Sequence, residues 1–171
     1  MMTTDQINRQ LIRRAKRIKL ALEEARDLGS NMVKTEEIRL DVDAIFCYQN
    51  GYINKYNKIK FDAAIGNEWV SAGFTPDKKF RKEHVIPVRV IAEKLFSLGE
   101  DVTAEEIIKV VLENYQLAHI LLEEDALLND KNAPYGNLQY RMPKEYYDSK
   151  SPLYMDPLAR YKVAGIQIFK K

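Results

Sequence analysis

The stretch FRKEHVIPV sets Glu83 beside His84, one of only two histidines in the chain. A histidine near neutral pKa can act as a general base, and a carboxylate beside it is a hard oxygen ligand for a divalent cation. Further along, Glu123, Glu124 and Asp125 open the stretch EEDALLND. A base to activate water, with a cation to polarise a phosphate and stabilise the departing oxyanion, is what phosphodiester hydrolysis requires. Successive strand residues point to opposite faces, so Glu83 and His84 serve one site only if the strand twists, bulges or ends there. Each residue also has an ordinary reading. Glu83 suits a solvent-facing strand position, and His84 suits a hydrogen-bonded, half-buried one. The three acids suit a helix N-terminus, where each stabilises by a few tenths to about 1 kcal/mol.

The elements that would position these groups follow from hydrophobic spacing. Residues 4–28 carry Ile7, Leu11, Ile18, Leu22 and Ala25 at helical intervals, with Thr4 as the expected N-cap and Gly29 as the stop. The opposite face of that helix holds Arg9, Arg13, Lys16 and Arg17. TEEIRLDVDAIFCY fits both a helix capped at Thr35 and an alternating strand, and its early glutamates favour the helix. A turn is expected at Asn50-Gly51, and then a helix across KIKFDAAIGNEWVSAGF, with Trp69 as a core anchor. EHVIPV has strand composition, with Pro87 marking an edge or an early end. VIAEKLFSL and TAEEIIKVVLENY predict two short helices, the second capped at Thr103. QLAHILL predicts a second strand carrying His119, and EEDALLND a helix directly behind it. From residue 131 onward, Pro134, Pro143, Pro152 and Pro157 predict an extended arm with a last short helix through PLARYKVAG.

Composition limits the functional classes. At 171 residues and 46% hydrophobic, the chain can bury one substantial core. Its net charge of +2 gives no global attraction to nucleic acid, but the charge is segregated. Residues 1–30 carry seven Lys/Arg against four Asp/Glu, and 99–130 carry one against nine. Residues 74–94 carry six against three, and 131–171 eight against three, so basic segments flank an acidic middle. The single cysteine, Cys47, excludes an internal disulfide and any zinc site built on cysteine pairs, and its apolar neighbours place it in the core. No run approaches the roughly 20 apolar residues of a membrane span, and no signal peptide is visible, so a soluble cytoplasmic protein is expected.

The segment EHVIP resembles the first segment of HNH (ββα-metal) endonucleases, and AHILLEEDALLN resembles their second strand and metal-binding helix. The resemblance covers two short segments and departs from the family in its Asp at the helical ligand position. It implies His84 as general base, Glu83 and Asp125 as ligands of Mg²⁺ or another divalent cation, and Asn129 as an alternative ligand one turn later. Asn114 is the nearest candidate for the family's middle asparagine. With the elements read from periodicity, the expected fold is α+β and mostly α, with three regions inside a single compact domain. These are N-terminal helices (1–75), a ββα-like core with helices inserted between its strands (76–130) and a Pro/Tyr-rich C-terminal arm (131–171). The implied function is metal-dependent hydrolysis of nucleic acid, DNA before RNA. Arg13, Arg17, Arg81, Lys82, Arg141 and Arg160 are the candidate phosphate contacts, guanidinium forks suiting phosphate oxygens. The arm's interleaved tyrosines and cations could stack the bases of a single strand, or wrap the body and bury their rings. The alternative is a non-catalytic accessory protein of the phage type, binding a protein partner or nucleic acid on a nuclease-like scaffold.

Overall fold

The computed structural model describes residues 2–61 and 69–170. Among these residues it is α+β, with seven helices, a four-stranded mixed sheet and about 48% helix. In chain order the elements are α1 (Thr4–Asp27), α2 (Thr35–Gln49), β1 (Trp69–Ser71), β2 (Phe80–His84), α3 (Val88–Phe96), α4 (Ala104–Asn114), β3 (Leu117–Leu121), α5 (Leu122–Asn129), α6 (Lys144–Tyr147), α7 (Ala159–Val163) and β4 (Ile168–Lys170). The chain divides into two compact units, Met1–Ala64 with Ile91–Tyr115, and Ile65–Val90 with Gln116–Lys171.

The first unit is helical. Leu11, Ala15, Ile18, Leu22 and Ala25 form the buried stripe of α1. Its cap is Thr3 rather than the expected Thr4: the Thr3 hydroxyl accepts from Gln6 N at 3.2 Å, and the Gln6 side chain accepts from Thr3 N at 2.9 Å. The ambiguous TEEIRLDVDAIFCY is helical, and its first residue is Thr35, behind Lys34 with no side-chain cap. Ile38, Val42, Ile45 and Cys47 are fully buried, Cys47 as a free thiol. Two acids of α2 are tied within this unit. Arg14 and Arg17 reach Asp41 at 2.9 and 3.1 Å, and the Tyr115 hydroxyl donates to Asp43 at 2.6 Å. α4 opens on the expected capping box between Thr103 and Glu106 and buries Ile107 and Val111.

The second unit holds the sheet, in the order β2-β3-β1-β4. β2 and β3 are antiparallel, with Phe80 opposite Leu121, Lys82 opposite His119 and His84 opposite Leu117. β1 runs parallel to β3 and antiparallel to β4. The helix expected across KIKFDAAIGNEWVSAGF lies partly outside the described residues, and Trp69–Ser71 is a strand instead. Pairing with Ala118 and His119 decides this, together with a bond from Trp69 Nε1 to Gln116 at 3.0 Å. β2 begins earlier than EHVIPV, at Phe80, and stops at His84; Pro87 precedes the first turn of α3, where its missing N–H costs nothing. β3 is buried along its whole length. One face of the sheet packs Val85, Ala118 and Ile120 against Leu128, Leu138, Tyr161 and Ile166. On the other, His119 lies between the rings of Phe74 and Phe80, with centroids 5.4 and 4.9 Å away. The arm carries two short helices and β4, and it buries Tyr146 and Tyr161 while leaving Tyr140, Tyr147 and Tyr154 exposed.

Burial, then the charge of Asp43, pushes the Tyr115 hydroxyl far above the ordinary tyrosine range. Tyr115→Phe removes a bond to a charged acceptor and should lower the unfolding free energy by about 1.5–3 kcal/mol in urea titrations. The folded state keeps this proton while the unfolded chain loses it above pH of about 10. The contribution is therefore complete below that pH and declines above it, by about 1.4 kcal/mol per pH unit. The Phe variant should show a correspondingly shallower alkaline loss.

Candidate functional site

The neighbourhood of Glu83 and His84 is organised by Arg160, on α7, whose side chain is completely buried. Local turns set its position: Leu158 N donates to Asp156 Oδ1 at 2.9 Å and Ala159 N to Asp156 O at 3.0 Å, so the chain turns through Pro157 and the helix begins at Ala159. Its Nε donates to the Val85 carbonyl at 3.0 Å and one terminal nitrogen to the Leu138 carbonyl at 3.2 Å. The other terminal nitrogen donates to the Glu83 carboxylate and the Tyr161 hydroxyl, both at 3.1 Å, and to the His84 carbonyl. Burial opposes the Arg160 charge. The Tyr161 and Glu83 fields and hydrogen bonds outweigh it and hold the pKa above its ordinary value. Burial likewise raises the Tyr161 hydroxyl, Arg160 pulling it down and the charges of Glu83 and Asp125 adding to the rise.

Arg160 was expected to grip phosphate. It is instead a structural cation with no exposed surface, because five protein acceptors surround its fork. Asp125 is nearly buried and pairs with Arg81 Nε at 3.3 Å, while the Arg81 side chain stays 57% exposed. Arg81 and Glu83 share one face of β2, and Phe80, Lys82 and His84 the other. The pairing with β3 runs without a bulge from Phe80 to His84, so the alternation is not broken. The histidine is therefore on the face opposite the two acids.

The remaining candidates are dispersed. Asn114 lies at the end of α4 in the first unit, where it donates to the Val110 carbonyl at 2.7 Å and accepts from Lys94 Nζ at 2.6 Å. Asn129 ends α5; its carbonyl accepts from Asn137 at 3.0 Å, and its buried Oδ1 has no donor among the described residues. Among the described residues, no three His, Cys, Asp or Glu side chains converge on a cation position. The acid–histidine set does not fit the divalent ion that the family resemblance implies, since guanidinium groups already neutralise both carboxylates and the imidazole faces away.

Two surfaces carry cations that have no ion-pair partner among the described residues. On α1, Arg9, Arg13 and Lys16 are exposed and have no partner among the described residues. Arg17 is half-exposed while Asp41 steadies its Nε. These cations flank Ile12 and Leu20 along a shallow trough, and Leu20 is 55% exposed. The sequence placed Arg9 and Lys16 on this face by periodicity, while the weight of the reading fell on Arg13 and Arg17. In the second unit, Arg141 borders a pocket beside Tyr135. Its signals in the sequence were the arm's interleaved tyrosines and the fit of a guanidinium fork to phosphate. Comparison with protein-family models, curated proteins and solved structures finds no match.

Arg160→Met strands the Glu83 carboxylate and three carbonyls. It should cost about 3–5 kcal/mol, as removal of one partner from a buried pair does. Arg160→Lys should recover only part of this, because one ammonium cannot span five acceptors. Urea unfolding followed by circular dichroism measures both.

Proposed function

We propose that this protein binds nucleic acid without cutting it, using the outer face of α1 on the phosphate backbone. The observation that carries the reading is the distribution of arginine. In the second unit Arg160 and Arg81 neutralise Glu83 and Asp125, the acids a hydrolytic site would need. On α1, Arg9, Arg13 and Lys16 have no acid among the described residues to answer them. Long basic side chains at one-turn intervals match the spacing of a polyanion, and their release of counterions drives association. The apolar trough of Ile12 and Leu20 adds a surface on which sugar edges can pack. The acidic segment 99–130 remains on the protein, which restricts phosphate contact to the basic surfaces.

Fluorescence anisotropy with short DNA and RNA, single- and double-stranded, tests this over a range of salt. Affinity should fall with a log–log slope of about −2 to −3 on duplex, reflecting about three phosphate contacts. The Arg9→Ala/Arg13→Ala/Lys16→Ala variant should flatten the slope by about one per cation removed and weaken binding across all sequences. Salt-independent binding, or binding unchanged in the triple variant, would overturn the helix surface. Plasmid incubated with Mg²⁺ or Mn²⁺ should remain uncut. Cleavage abolished by His84→Ala would reinstate the hydrolytic reading.

A further inference from the structure

The second unit contains a pocket of about 540 Å³ within the C-terminal arm, bordered by Tyr135, Met142, Pro143, Val163, Arg141 and Lys144. This volume is in the range that holds small molecules. Its walls are fixed by the fold. The Tyr135 ring and Val163 pack against the hydrophobic core, Met142 is buried, and the Tyr135 hydroxyl donates to the Leu127 carbonyl at 3.2 Å.

Arg141 is oriented although it is on the surface. Its Nε donates to the Asn137 carbonyl at 2.7 Å, and Asn137 is itself held by Asn129 O at 3.0 Å and by Gln139 N at 2.9 Å. Gly136, at φ 69°, makes room for the guanidinium: a Cβ there would lie 2.3 Å from an Arg141 terminal nitrogen. Both terminal nitrogens of Arg141 lack a protein acceptor among the described residues, and so does the Lys144 ammonium. A fork pre-aimed in this way binds a phosphate through two parallel bonds and loses little freedom in doing so. Glu145 shares the rim and can accept from a base's exocyclic amine.

We infer that this pocket takes a nucleoside monophosphate: phosphate on Arg141 and Lys144, base against Tyr135, and amine edge toward Glu145. The inference rests on the nucleic-acid reading and deepens it. The ligand is either a free nucleotide or the 5′-phosphorylated end of a strand.

Calorimetric titration of the full chain with CMP, AMP, UMP and inorganic phosphate tests the site. CMP and AMP should saturate it with a Kd of about 0.01–1 mM. UMP should bind more weakly for want of an exocyclic amine, and inorganic phosphate weakest of all. Arg141→Lys, with unchanged thermal melting, should weaken CMP at least about tenfold. Lys144→Ala should weaken it in the same direction and serves if the first variant melts early. A 5′-phosphorylated dinucleotide that binds more tightly than CMP identifies a strand end; equal or weaker binding identifies the free nucleotide. The site is overturned by the absence of saturable nucleotide binding, by phosphate binding as tightly as CMP, or by full affinity in Arg141→Lys. Loss of nucleotide binding alongside intact, salt-dependent strand binding rejects the pocket and leaves the α1 surface standing. The reverse pattern rejects the α1 surface.

Discussion

The second unit depends on one buried guanidinium. An arginine in a protein interior is tolerated only when its hydrogens find acceptors and its charge finds an opposite charge, because taking an isolated ion out of water costs many kcal/mol. Arg160 meets both conditions with Glu83, Tyr161 and three carbonyls drawn from stretches distant in sequence. The end of β2, the loop at Leu138 and α7 are thus tied at a single point. A hydrophobic side chain could fill the space, but the three carbonyls would then be buried without donors.

That arrangement also gives Glu83 a partner inside the fold. Its neighbour in sequence is a histidine, and its partner in space is a cation, so its negative charge is answered inside the fold. Asp125 follows the same rule with Arg81. On α1, Arg14 and the half-exposed Arg17 serve Asp41, and Arg9, Arg13 and Lys16 face water. Exposed cations of this kind contribute little to stability, since surface ion pairs are worth at most about 1 kcal/mol. In the proposed reading, these are the cations that meet a polyanion.

The sequence disclosed its helices better than its strands. α1 and α4 carry period-3.6 stripes and threonine caps, local signals that need no partner, and only the cap of α1 shifted by one residue. β1 and β4 have three residues each and exist because β3 and β1 offer hydrogen bonds to them, which no local pattern announces. At the site, residue types were legible and their company was not. The alternation rule already stated the condition under which Glu83 and His84 could act together, and an unbroken register with β3 leaves that condition unmet. Arg160 was visible as a potential phosphate fork. Its burial followed from long-range packing of the arm, which prolines and tyrosines hinted at without fixing a partner.

Neither unit is a continuous run of chain: residues 65–90 interrupt the first, and 91–115 interrupt the second. The central sheet inherits this interleaving. β1 receives its parallel neighbour from residues 117–121 and its antiparallel neighbour from 168–170. During synthesis the helical unit can close once Tyr115 has emerged, while one edge of Trp69–Ser71 waits about fifty residues for β3 and the other nearly a hundred for β4. Pairings of such long sequence separation form slowly. The sheet is therefore the last part of the chain that can be completed, after every residue of the helical unit has been made.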